Sequence, residues 1–408
     1  MIKTKIKRTM TKHREQGDIL KAHIISAISF LLGFSASFIS YVISLYFKEV
    51  TGSDNVGPFY FIAFVLELVV IVNLHELIRR LGKSLIMHLL FLAEIATLVF
   101  LIFLPPGHLG AALIVATVLF ASLLWVVLDI ILETFSEDNM SGRIRGLHLT
   151  ITNFGFLVGP FAATWTLAHY GFAGVFFAKL VLTILAFAIA LVSLSKVNHS
   201  YSRNLEVMQI FERVRRRKNI LRIYHISFVL EFFYAIMVVF TTLYLSEHGF
   251  NLGELGIVFT IMLVPFVLLQ LPIGYLADKK WGEKELLITA LIITTVTVLG
   301  VYFTESRTVM MWGLLLFATR VGAAMLEILR DSYFYKRIDM DDVDIIDFFR
   351  TAQPVGYIAA ATISTSILTL GLSIRSLFLI AALVVFSGLW SAFKLSDNKS
   401  TQELADRT

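Results

Sequence analysis

Four charged side chains lie inside long apolar runs of this 408-residue chain. Glu67 interrupts "FYFIAFVLELVVIVNL", Glu94 "LLFLAEIATLVF", Glu231 "ISFVLEFFYAIMVVF" and Arg320 "WGLLLFATRVGAAML". If these runs cross a bilayer, a charge near the middle costs about 2.5–3.5 kcal/mol by insertion scales, so each is a functional suspect. The chemistry open to them is proton exchange at the carboxyls and ion pairing at the arginine. Two more acidic pairs, Asp129 with Glu133 and Glu327 with Asp331, stand at i, i+4 spacing close to the ends of their runs. Other chemistry lacks its residues. There is no Cys, no H-x-x-x-H spacing and no G-x-x-x-x-G-K-[ST] loop, which argues against thiol catalysis, a metal centre and an ATP site. No cluster of catalytic groups stands out, so an enzyme is not expected, and neither is a cofactor.

These residues need membrane-spanning elements to hold them. The chain is 57% hydrophobic and only 16% charged, with 35 Phe and 7 Pro. Soluble domains carry about a quarter charged residues. A span needs about 20 mostly apolar residues, and twelve runs qualify: 22–47, 57–78, 84–104, 109–133, 146–169, 173–195, 223–246, 253–277, 285–304, 309–331, 349–370 and 375–394. The expected fold class is an all-α polytopic membrane protein. Basic residues cluster in the N-terminal segment 1–21 and after spans two, four, eight and ten, while the opposite turns carry little beyond Lys48, Arg307 and Arg375. The positive-inside rule then puts both termini in the cytoplasm of a plasma (inner) membrane protein. The first run is too long for a cleavable signal. Residues 196–222 space Leu205, Met208, Phe211 and Val214 helically beside the block Arg213–Lys218, which reads as an amphipathic linker on the cytoplasmic leaflet. It would join a bundle at 22–195 to one at 223–394, leaving a tail at 395–408. Membrane surface accounts for that basic block, so no nucleic-acid partner is expected.

The halves repeat. "HELIRRLGKSLI" at 75–86 and "GYLADKKWGEKELL" at 274–287 both end a span in a basic, Gly-containing turn. Asp129 and Glu133 in span four correspond to Glu327 and Asp331 in span ten, 198 residues later. Two pseudo-symmetric six-helix halves related by an axis along the membrane normal follow from these spacings.

Gly274, Leu276, Ala277, Asp278, Lys279, Gly282 and Lys284 resemble the G-x-L-A-D-R-x-G-R-K loop signature of the major facilitator superfamily, with one residue inserted before the second Gly. The N-terminal copy has His75 for the first Gly and Arg79 for the Asp. Gly146, Gly155, Gly159 and Pro160 in span five resemble the G-x8-G-x3-G-P-x2-G-G signature of the drug:proton antiporter branch, ending in Ala163 and Thr164 instead of the Gly pair. A third signature, with an Arg in span four, is missing there, while a related run, "ATRVGAA", occurs in span ten.

This resemblance implies a major facilitator fold in which spans 1, 4, 7 and 10 line a cavity, 2, 5, 8 and 11 form the moving interface, and 3, 6, 9 and 12 face lipid. Glu231 and Arg320 then fall on cavity helices and are expected to meet, as a proton-titratable site or as a fixed packing pair. Glu67 is a candidate proton carrier. Glu94 is expected to pack toward Glu67 or a polar neighbour. Tyr41, Trp125, Phe233 and Tyr234 are candidates for gripping substrate, while Ser37, Ser40, Asn153 and Gln270 read as interhelical polar contacts. Lys179 is expected to snorkel. Asp129, Glu133, Glu327 and Asp331 suit a cytoplasmic gate, together with Lys279, with Asp278 capping or facing the start of span five, where Arg143 and Arg145 favour an anion, and Arg350 facing Glu133. Gly155-x-x-x-Gly159 is a small-residue face expected to act as a hinge and seal of span five against span eight or the C-terminal half, with Pro160 bending or softening the helix.

The function expected is alternating-access export of small hydrophobic or cationic compounds, coupled to protons, by a monomer embedded in lipid. An uptake symporter or facilitator for a sugar, nucleoside or other polar solute, and a non-transporting receptor or scaffold, are the alternatives.

Overall fold

A computed structural model describes residues 23–133, 141–194, 207–338 and 343–396. The segments 1–21 and 397–408 and most of the linker therefore lie outside the described residues. So do the side chains of Glu133, Arg143 and Arg145, and the surroundings of Gly146.

The described residues form helices without strands. Ten are long and apolar enough to cross a membrane. One of these, Thr150–Ser193, runs 44 residues and breaks at Gly171, whose φ of 66° turns the chain back with a single residue, so it crosses twice. A further helix, Ala352–Thr369, is shorter and more polar, and it packs against the spans around it. Twelve helices result. They are α1 (His23–Thr51), α2 (Gly57–Leu81), α3 (Lys83–Phe103), α4 (His108–Glu133), α5 (141–170), α6 (172–193), α7 (Lys218–Glu247), α8 (Leu252–Leu276), α9 (Gly282–Phe303), α10 (Val309–Tyr335), α11 (Ala352–Thr369) and α12 (Arg375–Lys394).

The repeat is visible in the backbone. The glycines with positive φ pair off at near-constant spacing: Gly52 with Gly249, Gly82 with Gly282, and Gly171 with Gly371, separated by 197, 200 and 200 residues. Each is a turn that an L side chain resists. The residue inserted into the loop signature is absorbed as a π-helical turn, Ala277–Trp281, closed by a bond from the Gly282 N–H to the Ala277 carbonyl. One extra residue per turn is what a π-bulge accommodates.

α1 pauses at residues 41–42 without Gly or Pro. Just before the pause, Ser37 and Ser40 return their hydroxyls to the carbonyls of Phe34 and Ala36 at 2.9 and 2.8 Å, a back-bonding that bends helices. Lipid-facing surface falls on α3, α6, α9 and α12, through side chains such as Phe103, Val192, Val296 and Trp390.

The halves join through α5 against α8 and α2 against α11. Glycine permits both joints, but not the glycines expected. A Cβ on Gly155 would meet the Phe30 carbonyl oxygen at 2.4 Å, and one on Gly159 would meet Ser37 Oγ at 1.4 Å. The small face of α5 therefore packs on α1, within its own half. The opposite face of α5 carries Thr164, and there α8 supplies the glycine: a Cβ on Gly256 would lie 2.2 Å from Thr164 Oγ1. Its counterpart, Gly57 on α2, seats against Thr365 and the Ala361 carbonyl of α11. The expectation for the motif thus holds for close packing and fails for the partner. Gly256→Leu is expected to wedge α8 off α5 and stop transport while the protein still inserts; normal flux from membranes with normal protein levels would refute this reading of the joint.

The connecting helix Val207–Arg216 buries Ile210 and Val214 and packs against the short helix Val343–Arg350 and against α7. Of the apolar positions expected to face the lipid surface, Val214 is covered by protein, while Leu205 and the side chains of Met208 and Phe211 lie outside the described residues.

Candidate functional site

A cavity of about 540 Å³ lies between the halves. α1 contributes Ser40 and Tyr41, α4 Trp125 and Asp129, α7 Glu231 and Tyr234, α10 Arg320, Glu327, Arg330 and Asp331, and α11 Tyr357. Its two ends differ. Beyond the end at Tyr60 and Phe64, which are 8% and 5% exposed, the halves are bridged by Lys48 to Glu247 at 3.3 Å and Asn55 to Thr369 at 3.2 Å. At the other end Asp129 and Asp331 remain 41% and 31% exposed. The cavity opens at the basic end of the molecule.

The expected pair of Glu231 with Arg320 does not form. Glu231 is held at 2.7 Å by Arg330, which also donates to Ser227 at 2.8 Å and lies 3.4 Å from Asp331. Arg330 stands ten residues beyond Arg320, about 80° short of three full turns of a 3.6-residue helix, and that side of α10 faces α7. Arg320 lies instead over the ring of Phe233, 4.9 Å from its centroid. Phe233 is fully buried behind the cavity wall and does not reach the cavity directly.

Glu67 is wholly buried. Ser122 of α4 donates to its Oε1 at 2.6 Å, and its Oε2 has no hydrogen-bond partner among the described residues. Glu94 does not turn toward Glu67. It pairs with Lys179 of α6 at 2.7 Å, both side chains 1% exposed, and Lys179 also donates to Ser35 at 3.2 Å. The snorkelling expected of Lys179 is therefore corrected: an internal carboxylate is a better partner than the distant interface.

Glu327 was expected at a gate and lies in the cavity wall. It accepts from Gln270 of α8 at 3.1 Å and, weakly, from Tyr234 at 3.4 Å. Asn153 of α5 donates to Gln270 at 2.9 Å, so a polar chain runs from one half to the carboxyl of the other. Trp125 stacks on Phe156, Tyr41 on Phe259, and Tyr357 packs on Phe64. The last two contacts also cross between halves.

At the basic end Arg350 pairs with Asp129 at 2.8 Å and with its neighbour Asp347 at 3.4 Å. Asp278 accepts from Lys336 at 2.6 Å, and Lys336 also holds Glu283. Burial works against the Lys336 ammonium, but the hydrogen bonds to Asp278 and Glu283 outweigh it and hold its pKa above the usual lysine value. The clamp is therefore charged at physiological pH. Lys279, on the exposed side of the π turn, lies 5.7 Å from the ring of Tyr275.

The sequence profile of the Major Facilitator Superfamily matches residues 25–340 and again 236–407. The chain belongs to the Major Facilitator Superfamily. Multidrug resistance protein MdtG of Escherichia fergusonii is 24% identical over 284 residues, spanning 67% of this chain and 68% of that protein. An auto-inhibited POT family peptide transporter superposes with a TM-score of 0.70 at 12% identity, covering 93% of this chain and 98% of that one. The nucleoside transporter NupG gives 0.68 at 14% identity, covering 92% and 99%. Those structural likenesses concern the fold.

This facilitator is a multi-pass membrane transporter whose cavity uses several residues that the sequence reading passed over. Arg330, in the cavity wall, is one of these, while Lys336, outside the cavity, stands in the basic turn after span ten, where topology signals collect. A usable signal was present for Arg330: Glu327, Arg330 and Asp331 stand at i, i+3 and i+4, one charged face on an otherwise apolar helix. Tyr357 had no such mark.

Proposed function

We propose that this chain exports small lipophilic compounds from the cytoplasm in exchange for protons. The bundles 22–195 and 223–394 rock about the cavity, with the basic end cytoplasmic. The observation that carries the coupling is that two carboxyls inside the bundle, the buried Glu67 and the half-buried Glu327 of the cavity wall, have only neutral hydrogen-bond donors and no ion pair among the described residues. Glu231 and Glu94 are committed to Arg330 and Lys179, which leaves Glu67 and Glu327 as the groups free to take and release a proton. The antiporter-like glycines of α5, the aromatic walls and the multidrug resistance protein among the relatives support a lipophilic cargo.

Proteoliposomes test the reading. An imposed pH gradient is expected to drive concentrative movement of a lipophilic fluorescent dye, and a protonophore should abolish it. Flux that is identical with and without the gradient would overturn the coupling.

A further inference from the structure

Among the charged groups of the cavity, most are matched. Asp129 pairs with Arg350, Glu231 and Asp331 with Arg330, and Lys179 with Glu94. Glu327 has neutral donors only, and Arg320 is the cation without a carboxylate among the described residues. Arg320 is 1% exposed, and neither its Nη1 nor its Nη2 has a hydrogen-bond partner among the described residues. Its surroundings are the Phe233 ring and the uncharged phenols of Tyr41, Tyr234 and Tyr357, of which Tyr41 comes close enough to interact as a hydrogen-bond partner. π faces and phenols temper a buried cation without neutralising it, so the guanidinium keeps unused donors at the cavity wall.

We propose that Arg320 is the docking group for a carboxylate carried by the transported molecule, so that the cargo is an aromatic or lipophilic acid or a zwitterion. The inference rests on the reading of this cavity as the transport site. A planar guanidinium grips a carboxylate through two parallel hydrogen bonds. Tyr41, stacked on Phe259, and Phe64 and Tyr357, tilted against each other, line the same cavity and offer apolar contact. The volume suits a drug-sized compound. Glu327 lies seven residues along the same face of α10, about 10.5 Å away. It disfavours a second anionic group there and accepts a donor or an amine. A purely cationic lipophile meets repulsion from Arg320, which narrows the cargo expected from the sequence.

The test is equilibrium binding to the purified full chain in lipid nanodiscs, read by energy transfer from tryptophan to dansyl-glycine or to its neutral amide, dansyl-glycinamide. Wild type is expected to bind the acid at least about tenfold more tightly than the amide, the discrimination that charge-assisted hydrogen bonds supply. R320Q should lose the preference while its affinity for the amide changes less than about threefold. R320K, which keeps the charge but not the fork, should retain a preference of at least about threefold. Equal affinity of the two probes in wild type, a preference that survives R320Q, or its absence from R320K would overturn the proposal. No proton gradient enters the measurement. Gradient-independent flux would therefore remove the coupling and leave this site standing, and a missing acid preference would do the reverse.

Discussion

Glu67→Gln is expected to abolish gradient-driven accumulation while substrate counterflow stays within about threefold of wild type. Gln preserves the size of the side chain and the acceptor that Ser122 uses at 2.6 Å, so the packing of α2 on α4 should survive. What it removes is the titratable carboxyl. Glu67 has no cation partner among the described residues, and its second oxygen is buried without a donor, so nothing but a proton or a moving ligand neutralises the carboxylate. Coupling free energies of 1–3 kcal/mol correspond to about 5- to 150-fold, and the loss should fall in that range. Counterflow needs only that the loaded halves exchange faces, so it separates lost coupling from lost binding. Gradient-driven accumulation equal to that of wild type in both Glu67→Gln and Glu327→Gln would refute the assignment of the proton sites.

The second large effect concerns stability. Arg330→Gln strands Glu231 and is expected to cost about 3–5 kcal/mol, the usual penalty for breaking a buried pair from one side. Both side chains are nearly enclosed, at 13% and 9% exposure, so solvent screening relieves little of it. Glu231→Gln in the same chain should recover most of the loss, because an amide leaves no orphaned charge. Thermal unfolding of the purified protein, followed for wild type, both single variants and the double variant, closes the cycle. Unfolding of Arg330→Gln at the wild-type temperature would show that Glu231 is stabilised by something other than Arg330. Glu94 and Lys179 form a second enclosed pair, but they lie on the α3–α6 side of the N-terminal half and do not report on α10.

Much of this molecule is legible without coordinates. Twelve apolar runs, alternating basic turns and a loop signature repeated at about 200 residues specify twelve helices in two similar halves, because bilayer thickness sets span length and backbone hydrogen bonding excludes most other structures there. The inserted residue near Asp278 was legible as well, and the chain absorbed it as a π turn. The charged residues buried in the spans were identified by cost alone.

Partners were not legible. Glu231 selected Arg330 over Arg320, Glu94 selected Lys179, and Asp129 met Arg350. The glycines of α5 closed on α1, while the joint with α8 used Gly256. Each outcome depends on the rotation of a helix about its axis and on which neighbour stands at a given face. A hydrophobic run is nearly uniform around its circumference, so its sequence fixes length and depth but leaves rotation open. Side-chain packing among twelve helices decides that rotation. It also decides which carboxyls are neutralised, and which single arginine stays unpaired at the cavity wall.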